Sequence, residues 1–373
     1  MLLRPLLASL TASLALAAAP VRAAAPVTDC PNRTAPFSAS SPLVDLLLSE
    51  PARALLRPVL PGLDKAPPQF LGTQPPTFAA ILTLREARGF AGVSLDAVNA
   101  IDAQLRQLPV TPADQIARCA RFDNEVPTVT RVAGKSNILV FEKINGFKDT
   151  PSVDAAHAML LAMAARKGWA ITFTDRGGAF NPKTLAKVDA VLWNNVSGDV
   201  LTLSQRAAFQ TWLTRGGAFI GIHGAAGDPV YFWDWYPDRL IGARFAGHPR
   251  TQQFQQATVR VNAQHPLAKG LPTDWSMTEE WYSFKSNPRL AGAQPVLLLD
   301  ESTYAPNDPQ MPELVMGADH PVAWTNCLGR GRVFYSALGH RPENYGLAPH
   351  VTLLENAITW AATDRRACRG TAR

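Results

Sequence analysis

The 373-residue sequence contains no cluster of lysine and arginine and no basic stripe interleaved with aromatic residues, and its net charge is only +6. Nucleic-acid binding proteins usually carry such a basic surface, so this class has little support. After the first residues, no apolar run is long enough to cross a bilayer. The four cysteines form no C-x-x-C pair, which argues against a cysteine-based zinc or redox site.

The first 25 residues predict a secretory signal peptide. A basic start at Arg4 precedes an apolar stretch, and small residues then accumulate up to Ala25, as they do before a signal peptidase site. The alternative is an uncleaved membrane anchor, which the short apolar run and Pro20 disfavour. We therefore expect a secreted or periplasmic protein that has no membrane attachment after cleavage.

Export changes the interpretation of the cysteines. In an oxidising compartment, four cysteines permit three sets of disulfides. We favour two structural bridges, Cys30 to Cys119 and Cys327 to Cys368. The first would close the N-terminal region, and the second would tie the C-terminal tail to a late strand.

The pattern of residues divides the chain after the signal peptide into three parts. Residues 26–131 are rich in proline and have apolar residues at helical spacing, as in Leu43–Leu48 and Leu95–Leu105. They predict a small helical region without recognisable chemistry. Residues 137–364 form the main domain, and residues 365–373 form a tail.

The main domain begins with alternating strands and helices. Such βαβ repetition predicts an α/β fold with a doubly wound, mostly parallel, flavodoxin-like sheet. Polar residues at the ends of its strands, Glu142, Asn194 and His223, should converge on one crevice. Five later segments predict antiparallel additions at one edge of the sheet, and a helix closes the layer. These segments are 256–261, 275–284, 295–299, 321–327 and 332–337, and the helix is 351–362.

The segment from Asn137 to Ala362 carries many short motifs in one order. They include Asn145-Gly146-Phe147, Gly221-Ile222-His223-Gly224-Ala225, Gly247-His248-Pro249, Glu279-Glu280-Trp281-Tyr282, Met316-Gly317-Ala318-Asp319-His320-Pro321 and Ala337-Leu338-Gly339-His340. In these motifs the chain resembles the ThuA-like family, named for trehalose utilisation, whose fold is that of class I glutamine amidotransferases. The resemblance implies a role in carbohydrate catabolism, with 3-keto-glycosides among the substrates that it suggests.

Two departures from the related sequences bear on mechanism. Amidotransferases place a nucleophilic cysteine at the strand-to-helix elbow, where this chain has His223. We therefore do not expect glutamine hydrolysis. After Phe147, many relatives carry a basic residue and then histidine, whereas this chain reads Lys148-Asp149, so any role of that histidine is lost or passed to another group. His340 and Glu343 resemble the histidine and glutamate of the superfamily.

Four residues are the candidates for catalysis: His223, His248, Glu280 and His340. They could divide acid and base roles, with His223 or His340 as the base and Glu280 as the acid. Alternatively, the three histidines, together with the Glu280 carboxylate, could bind a divalent metal such as zinc with a position open for water or a sugar hydroxyl. The non-functional alternative for His223 is a histidine hydrogen-bonded in a turn.

The expected ligand is a small carbohydrate, and the sequence does not indicate an oligomeric state. The predicted substrate-binding residues are Asn145, Asn194, Asp199, Trp281, Tyr282 and Glu343. Aromatic side chains suit stacking on a pyranose ring, although most large aromatics belong to protein cores. The competing function is a non-catalytic sugar-binding module on a degenerate amidotransferase fold. Among the other histidines, we expect His157 to be structural, His265 and His350 to lie on the surface, and His320 to lie in a turn.

Overall fold

The structure is a computed structural model that describes residues 26–60, 62–309, 311, 314–366 and 368. The predicted signal peptide and most of the predicted tail lie outside these residues. No helix in the described ranges is both long and apolar enough to span a bilayer. The two favoured disulfides are present, Cys30–Cys119 and Cys327–Cys368. Both bridges are compatible with an extracellular or periplasmic protein.

The N-terminal region consists of short helices around a hydrophobic cluster of its own. Local capping sets the helix starts, since the Ser94 hydroxyl accepts the Ala97 N–H and Thr111 forms a capping box with Asp114. The helices are α1 (Leu43–Leu48), α2 (Glu50–Leu56), α3 (Pro68–Leu71), α4 (Leu84–Ala91), α5 (Leu95–Leu105) and α6 (Pro112–Cys119).

The main domain is built on a mixed nine-stranded sheet with the order β2-β1-β3-β4-β11-β10-β9-β6-β7. Its strands are β1 (Asn137–Phe141), β2 (Ala170–Thr174), β3 (Ala190–Asn194), β4 (Ala218–Ile222), β6 (Phe254–Val261), β7 (Asp274–Glu280), β9 (Gln294–Leu299), β10 (Pro321–Leu328) and β11 (Gly331–Ser336). A separate two-stranded sheet pairs β5 (Phe245–Gly247) with β8 (Ser283–Phe284). The helices are α7 (Thr150–Lys167), α8 (Pro182–Leu185), α9 (Leu203–Thr214) and α10 (Ala348–Thr363).

The predicted α/β fold class is confirmed. β1, β3 and β4 are buried along their whole length, as central strands of a parallel sheet are. β2, β1, β3, β4 and β11 run parallel, and the four remaining strands of this sheet pair in antiparallel fashion. Antiparallel additions at one side of the parallel core were therefore predicted correctly.

Two strand predictions were wrong in detail. β11 was expected to be an antiparallel addition, but it pairs in parallel with β4 from Arg332 opposite Ala218 to Ser336 opposite Ile222. The tight β10–β11 hairpin returns the chain beside β4, which reverses its direction relative to β10. The predicted strand 275–284 is interrupted after Glu280, since Ser283 pairs with Gly247 in the small sheet.

The N-terminal region contacts the main domain next to the end of β1. The Thr77 N–H donates to the Asn145 carbonyl, and the Asn145 side chain donates to the Arg121 carbonyl. Lys143 pairs with Asp123 at 2.6 Å between Nζ and Oδ2. These bonds fix the N-terminal region against the rim where the parallel strands end.

Candidate functional site

His223 follows β4 directly and occupies an unusual backbone conformation. Its φ is +41°, in the left-handed region that few non-glycine residues adopt. The ring is buried, and its Nδ1 lies 2.7 Å from the carbonyl oxygen of Ala337, just after β11. Nδ1 must therefore carry a proton and donate it to this carbonyl. The Nε2 atom is left to face the other candidate residues.

The carboxylate of Glu280, at the end of β7, is surrounded by histidines. Its Oε2 lies 2.9 Å from His340 Nδ1 and 3.3 Å from His223 Nε2, while its Oε1 lies 3.2 Å from His248 Nε2. The Gln253 amide donates to Oε1 at 2.5 Å. Burial raises the pKa of Glu280, but the hydrogen bonds to His223 and His340 hold it well below its usual range. Glu280 is thus an ionised carboxylate.

Tyr282 completes the buried side of this cluster. Its hydroxyl oxygen lies 2.9 Å from His223 Nε2, and the two rings stack with centroids 4.3 Å apart. Burial, followed by the negative charge of Glu280, raises the Tyr282 pKa well above its usual value. The hydroxyl therefore keeps its proton.

His340 is the member of the cluster that meets the surface. Burial lowers its pKa, but the bond to Glu280 and the charges of Glu280 and Asp149 produce a net increase. Its Nε2 lies 3.6 Å from Asp149 Oδ2. The side chains of His340 and His248 are 11% and 26% exposed, whereas those of His223 and Glu280 are 5% and 4% exposed. A ligand from solvent would reach His340 and His248 first.

Glu279 was missed as a site residue by the sequence analysis. It is fully buried, and its carboxylate accepts the backbone N–H groups of Gly339 (2.9 Å), His340 (3.1 Å) and Glu280 (2.9 Å). The Asn344 side chain donates to it at 2.8 Å. Glu279 therefore holds the turn that presents His340. Strand alternation placed Glu279 on the other face from Glu280. No local sequence pattern indicates that this face would contact a turn 60 residues later in the chain.

Asp149 and Gln253 were also missed. Asp149 stands at the position where many relatives were expected to have histidine. This departure could have indicated that Asp149 is a site residue. Its carboxylate now lies beside the His340 Nε2 atom. Gln253 lies just before β6, and pairing of β6 with β7 brings it to Glu280.

Two predicted substrate-binding amides lie away from the histidines. Asn145 is buried, and its side-chain N–H groups donate to the carbonyls of Asp199 (2.5 Å) and Arg121 (3.3 Å). Asn194 is buried at the end of β3 and donates to the Glu142 carboxylate (2.8 Å) and the Val153 carbonyl (3.0 Å). Both amides thus tie loops and elements together. Glu142 and Asn194 contact each other, but neither contacts His223.

The other predicted substrate-binding residues are dispersed, with the exception of Tyr282. Asp199 pairs with Arg206 at 2.8 Å in a separate cavity. Trp281 is buried, and its indole N–H donates to the Gln255 carbonyl at 2.8 Å. Glu343 is exposed and pairs with Arg341 at 3.2 Å.

The remaining histidines have defined partners. His157 Nδ1 lies 3.0 Å from Glu142, and its ring stacks on Phe173. His265, half-buried, lies 2.9 Å from Thr325. The buried ring of His320 links the Glu301 carboxylate (2.8 Å) to the Tyr282 carbonyl (2.9 Å). The expectation of a surface position for His350 was wrong, because α10 packs that ring fully into the core.

The cluster could also hold a metal ion. His223 Nε2, His340 Nδ1 and a Glu280 oxygen all lie within 4.8 Å of one another. These three atoms lie 2.9–3.3 Å apart, near the separation of about 3.3–3.6 Å between tetrahedral ligands at about 2.0–2.2 Å from zinc. Metal-binding histidines also commonly donate their other N–H to a carbonyl, as His223 does to Ala337. This cluster contains two of the three predicted histidine ligands together with Glu280. His248 instead contacts the second oxygen of Glu280.

Comparison with known proteins gives one family. A family model described as ThuA, trehalose utilisation, matches residues 137–361. A ThuA-like protein from Bacteroides uniformis has a similar structure, with 23% identity, coverage of 63% of this chain and 95% of that chain, and a TM-score of 0.52. A ThuA-like protein from Parabacteroides merdae shares 17% identity over 62% of this chain and 91% of its own, with a TM-score of 0.44. No curated protein matches the sequence.

Proposed function

Because this chain belongs to the ThuA family of trehalose utilisation, we propose that it is an enzyme that acts on a sugar or a 3-keto-glycoside by acid–base chemistry. The observation that carries this proposal is the pairing of His340 with Glu280. Their atoms lie 2.9 Å apart at the point where a buried charged cluster meets the surface. A histidine poised by a buried carboxylate is a common arrangement for proton transfer.

His340 is the proposed base. In its neutral form the Nδ1–H group donates to Glu280 Oε2, so the lone pair of Nε2, 3.6 Å from Asp149 Oδ2, can accept a proton. The negative charge of Glu280 raises the pKa of the ring and so makes Nε2 more basic. In a 3-keto-glycoside, the carbonyl acidifies the neighbouring C–H bond, so that a histidine is a sufficient base. Removal of this proton by Nε2 forms an enolate, which can expel the group at the anomeric carbon.

Glu280 is better suited to orient histidines than to donate a proton, because its pKa lies well below its usual value. The acid role that the sequence analysis gave to Glu280 is therefore assigned to His248. Its Nε2 lies 3.2 Å from Glu280 Oε1, so one carboxylate contacts the base with one oxygen and the acid with the other. His248 would give the leaving oxygen its Nδ1 proton, which otherwise points to the Pro249 carbonyl oxygen at 3.2 Å. Tyr282 and His223 support the cluster from its buried side.

A divalent cation, when bound by His223, Glu280 and His340, would supply Lewis-acid activation of a water or sugar oxygen. Metal analysis of protein purified without a polyhistidine tag tests this version of the site. One equivalent of metal that is lost in the His223→Ala variant supports it. Metal far below one equivalent, with activity unaffected by chelator, contradicts it.

Thioester chemistry on glutamine has no support in this chain. The elbow position holds His223, and all four cysteines are in disulfides. The proposal also includes export, for which the two disulfides are the supporting observation.

The competing proposal is a non-catalytic sugar-binding module. It is favoured by the structural use of Asn145 and Asn194, two amides expected to bind substrate. Turnover distinguishes the two functions, because a binding module would bind the same sugars without forming product.

The test is turnover of plain and 3-keto-glycosides by wild-type protein, Glu280→Gln and His340→Asn. We expect both variants to lower kcat/KM by about 10² to 10³, because general acid–base catalysis contributes factors of this size. Glu125→Gln is the matched control, since Glu125 is exposed and pairs with Arg176 at 3.2 Å, away from the histidines. Saturable binding without product, with an effect of the variants on affinity alone, would favour the binding module.

A further inference from the structure

A row of aromatic rings leads from His340 onto the N-terminal region. The Phe147 ring centroid lies 6.1 Å from that of His340 and 5.1 Å from that of Phe78, which lies 5.7 Å from Phe70. Phe147 and Phe70 are 41% and 48% exposed. Exposed aromatic side chains that adjoin one another and a polar cluster are uncommon on a surface without a ligand. On the other side of His340, Phe254 is also exposed, with its centroid 5.1 Å from that of His340.

Phe70 and Phe78 also line a groove of about 550 Å³ in the N-terminal region. Apart from glycine, every described residue that lines this groove has an apolar side chain, including Leu63, Leu71 and Leu82. Leu60, Leu63, Leu82 and Ala87 of the groove belong to the buried cluster of this region, so its floor is part of a packed core. A groove of this size is typical of small-molecule sites.

The aromatic row crosses a closely packed junction. The residue before Phe78, Thr77, donates its backbone N–H to the Asn145 carbonyl at 3.0 Å. Gly146, which precedes Phe147, has no room for a side chain, because a Cβ there would lie 2.6 Å from Ile81 and 2.3 Å from the Ser197 hydroxyl. The contact between Phe78 and Phe147 is therefore set by the backbone on both sides. These backbone contacts therefore also fix the position of the groove relative to His340.

We propose that this row and groove bind the apolar aglycone of a glycoside whose sugar lies at His340. The inference rests on the proposed function and deepens it by naming the substrate class. An aromatic or aliphatic aglycone fits, because a second sugar in the groove would leave its hydroxyl groups without hydrogen-bond partners. The N-terminal region, outside the matched residues 137–361, would then determine which glycosides the main domain accepts.

The test compares four probes on the whole protein by calorimetry: methyl β-glucoside, 6-phenylhexyl β-glucoside (the phenyl compound), whose alkyl chain lets the ring reach the groove beyond Phe147, and the 3-keto form of each. We expect the phenyl compounds to bind about 10-fold more tightly than the methyl compounds, because burial of a phenyl ring adds apolar contact area. Phe70→Ala removes one wall of the groove. Gly62→Phe fills the groove instead, and a Cβ at Gly62 meets no atom within 4 Å, so the fold tolerates it.

Both variants should reduce the phenyl-to-methyl preference to near 1. Leu290→Ala, at an 84% exposed site, is the control and should keep the 10-fold preference. Equal binding of phenyl and methyl compounds by wild-type protein, or a preference unchanged in both groove variants, overturns the inference while the proposed function stands.

A sugar-free probe separates the two possible failures. We expect 2-naphthol to bind the wild-type protein and the His223→Ala variant alike, and to lose at least 10-fold in affinity in Gly62→Phe. If none of the four glucosides binds but 2-naphthol behaves as expected, the proposed function fails and the groove remains an apolar binding site. If 2-naphthol does not bind at all, the proposal that the groove is an apolar binding site is overturned.

Discussion

At the scale of single residues, two adjacent glutamates have separate tasks. Glu280 contacts the imidazole rings of three histidines through its side chain. Glu279 accepts hydrogen bonds from the turn that carries His340. The proposed proton chemistry would therefore depend on Glu279, which contacts none of these rings. We regard Glu279 as a positioning residue.

Glu279→Gln should weaken both the turn and the activity. Each Glu279 oxygen accepts two N–H groups, so an amide NH2 at either place faces two donors and loses both bonds. We expect a loss of about 2–3 kcal/mol in the free energy of unfolding, measured in urea, together with reduced kcat. Glu125→Gln again serves as the control. Unchanged stability and kcat in Glu279→Gln would remove Glu279 from this role.

At the scale of elements, α10 carries a buried histidine. The ring of His350 donates from Nδ1 to the Asn344 carbonyl at 3.0 Å and packs 5.4 Å from the Tyr345 ring, while its Nε2 has no partner. Burial lowers its pKa to about 4, and the hydrogen bond to Asn344 only partly offsets this effect. The folded protein therefore keeps His350 neutral well below the pH at which the unfolded chain protonates it.

This histidine should make stability depend on pH. The pKa of His350 in the folded protein lies below its unfolded value of 6.5. Its contribution to the free energy of unfolding is therefore fully present above pH 6.5 and is lost as the pH falls toward about 4. The loss should reach about 3 kcal/mol. Urea denaturation of the wild type and His350→Gln from pH 7.5 to 4.5 measures it, and the variant should lose less stability over this range. If the free energy of unfolding fell equally with pH in the two proteins, His350 would have the same pKa in the folded and the unfolded state, against this prediction.

Much of the element pattern could be predicted from local sequence, and the exceptions have a physical cause. β1, β3 and β4 were recognisable because strands buried on both faces are apolar throughout. The direction of β11 was not, since it follows from which strand lies beside it in space. The burial of His350 was missed because α10 also carries the partly exposed Thr352, Glu355 and Asn356, so the residue type alone does not show which face of the helix a polar side chain lies on.

The prediction of site residues was limited for the same reason, because contacts between distant parts of the chain are not visible in local sequence. Motifs identified His223, His248, Glu280 and His340, and the structure brings all four together. Asn145, Asn194 and Asp199 lie at or after strand ends in a similar way, yet their side chains bond to a loop carbonyl, to α7 and to α9, respectively. Whether the side chain of a polar residue faces a crevice or a neighbouring element depends on contacts with residues that are distant in the sequence.

At the scale of the whole molecule, Cys30–Cys119 closes the N-terminal region, with a sequence separation of 89 residues. The doubly substituted variant Cys30→Ser, Cys119→Ser should lose about 4–5 kcal/mol of stability, because the unfolded chain gains the entropy of a long loop. Urea denaturation measures this loss. The variant Cys327→Ser, Cys368→Ser, which opens a separation of 41 residues, should lose slightly less. Equal stability of all three proteins would contradict the entropic account.

The position of β7 has a consequence for folding fidelity. In the main sheet, β7 pairs with β6 alone, and Glu280 lies opposite Phe254 at the end of that ladder. A slip of one residue would turn every side chain of β7 to the opposite face, so that Glu279 would take the place of Glu280 and Thr278 that of Glu279. A carboxylate would still face the histidines, and the misregistered chain would keep its composition, net charge and helix content, but the turn that carries His340 would lose its buried acceptor. Specific activity, rather than circular dichroism, would then reveal how much of a preparation has folded correctly.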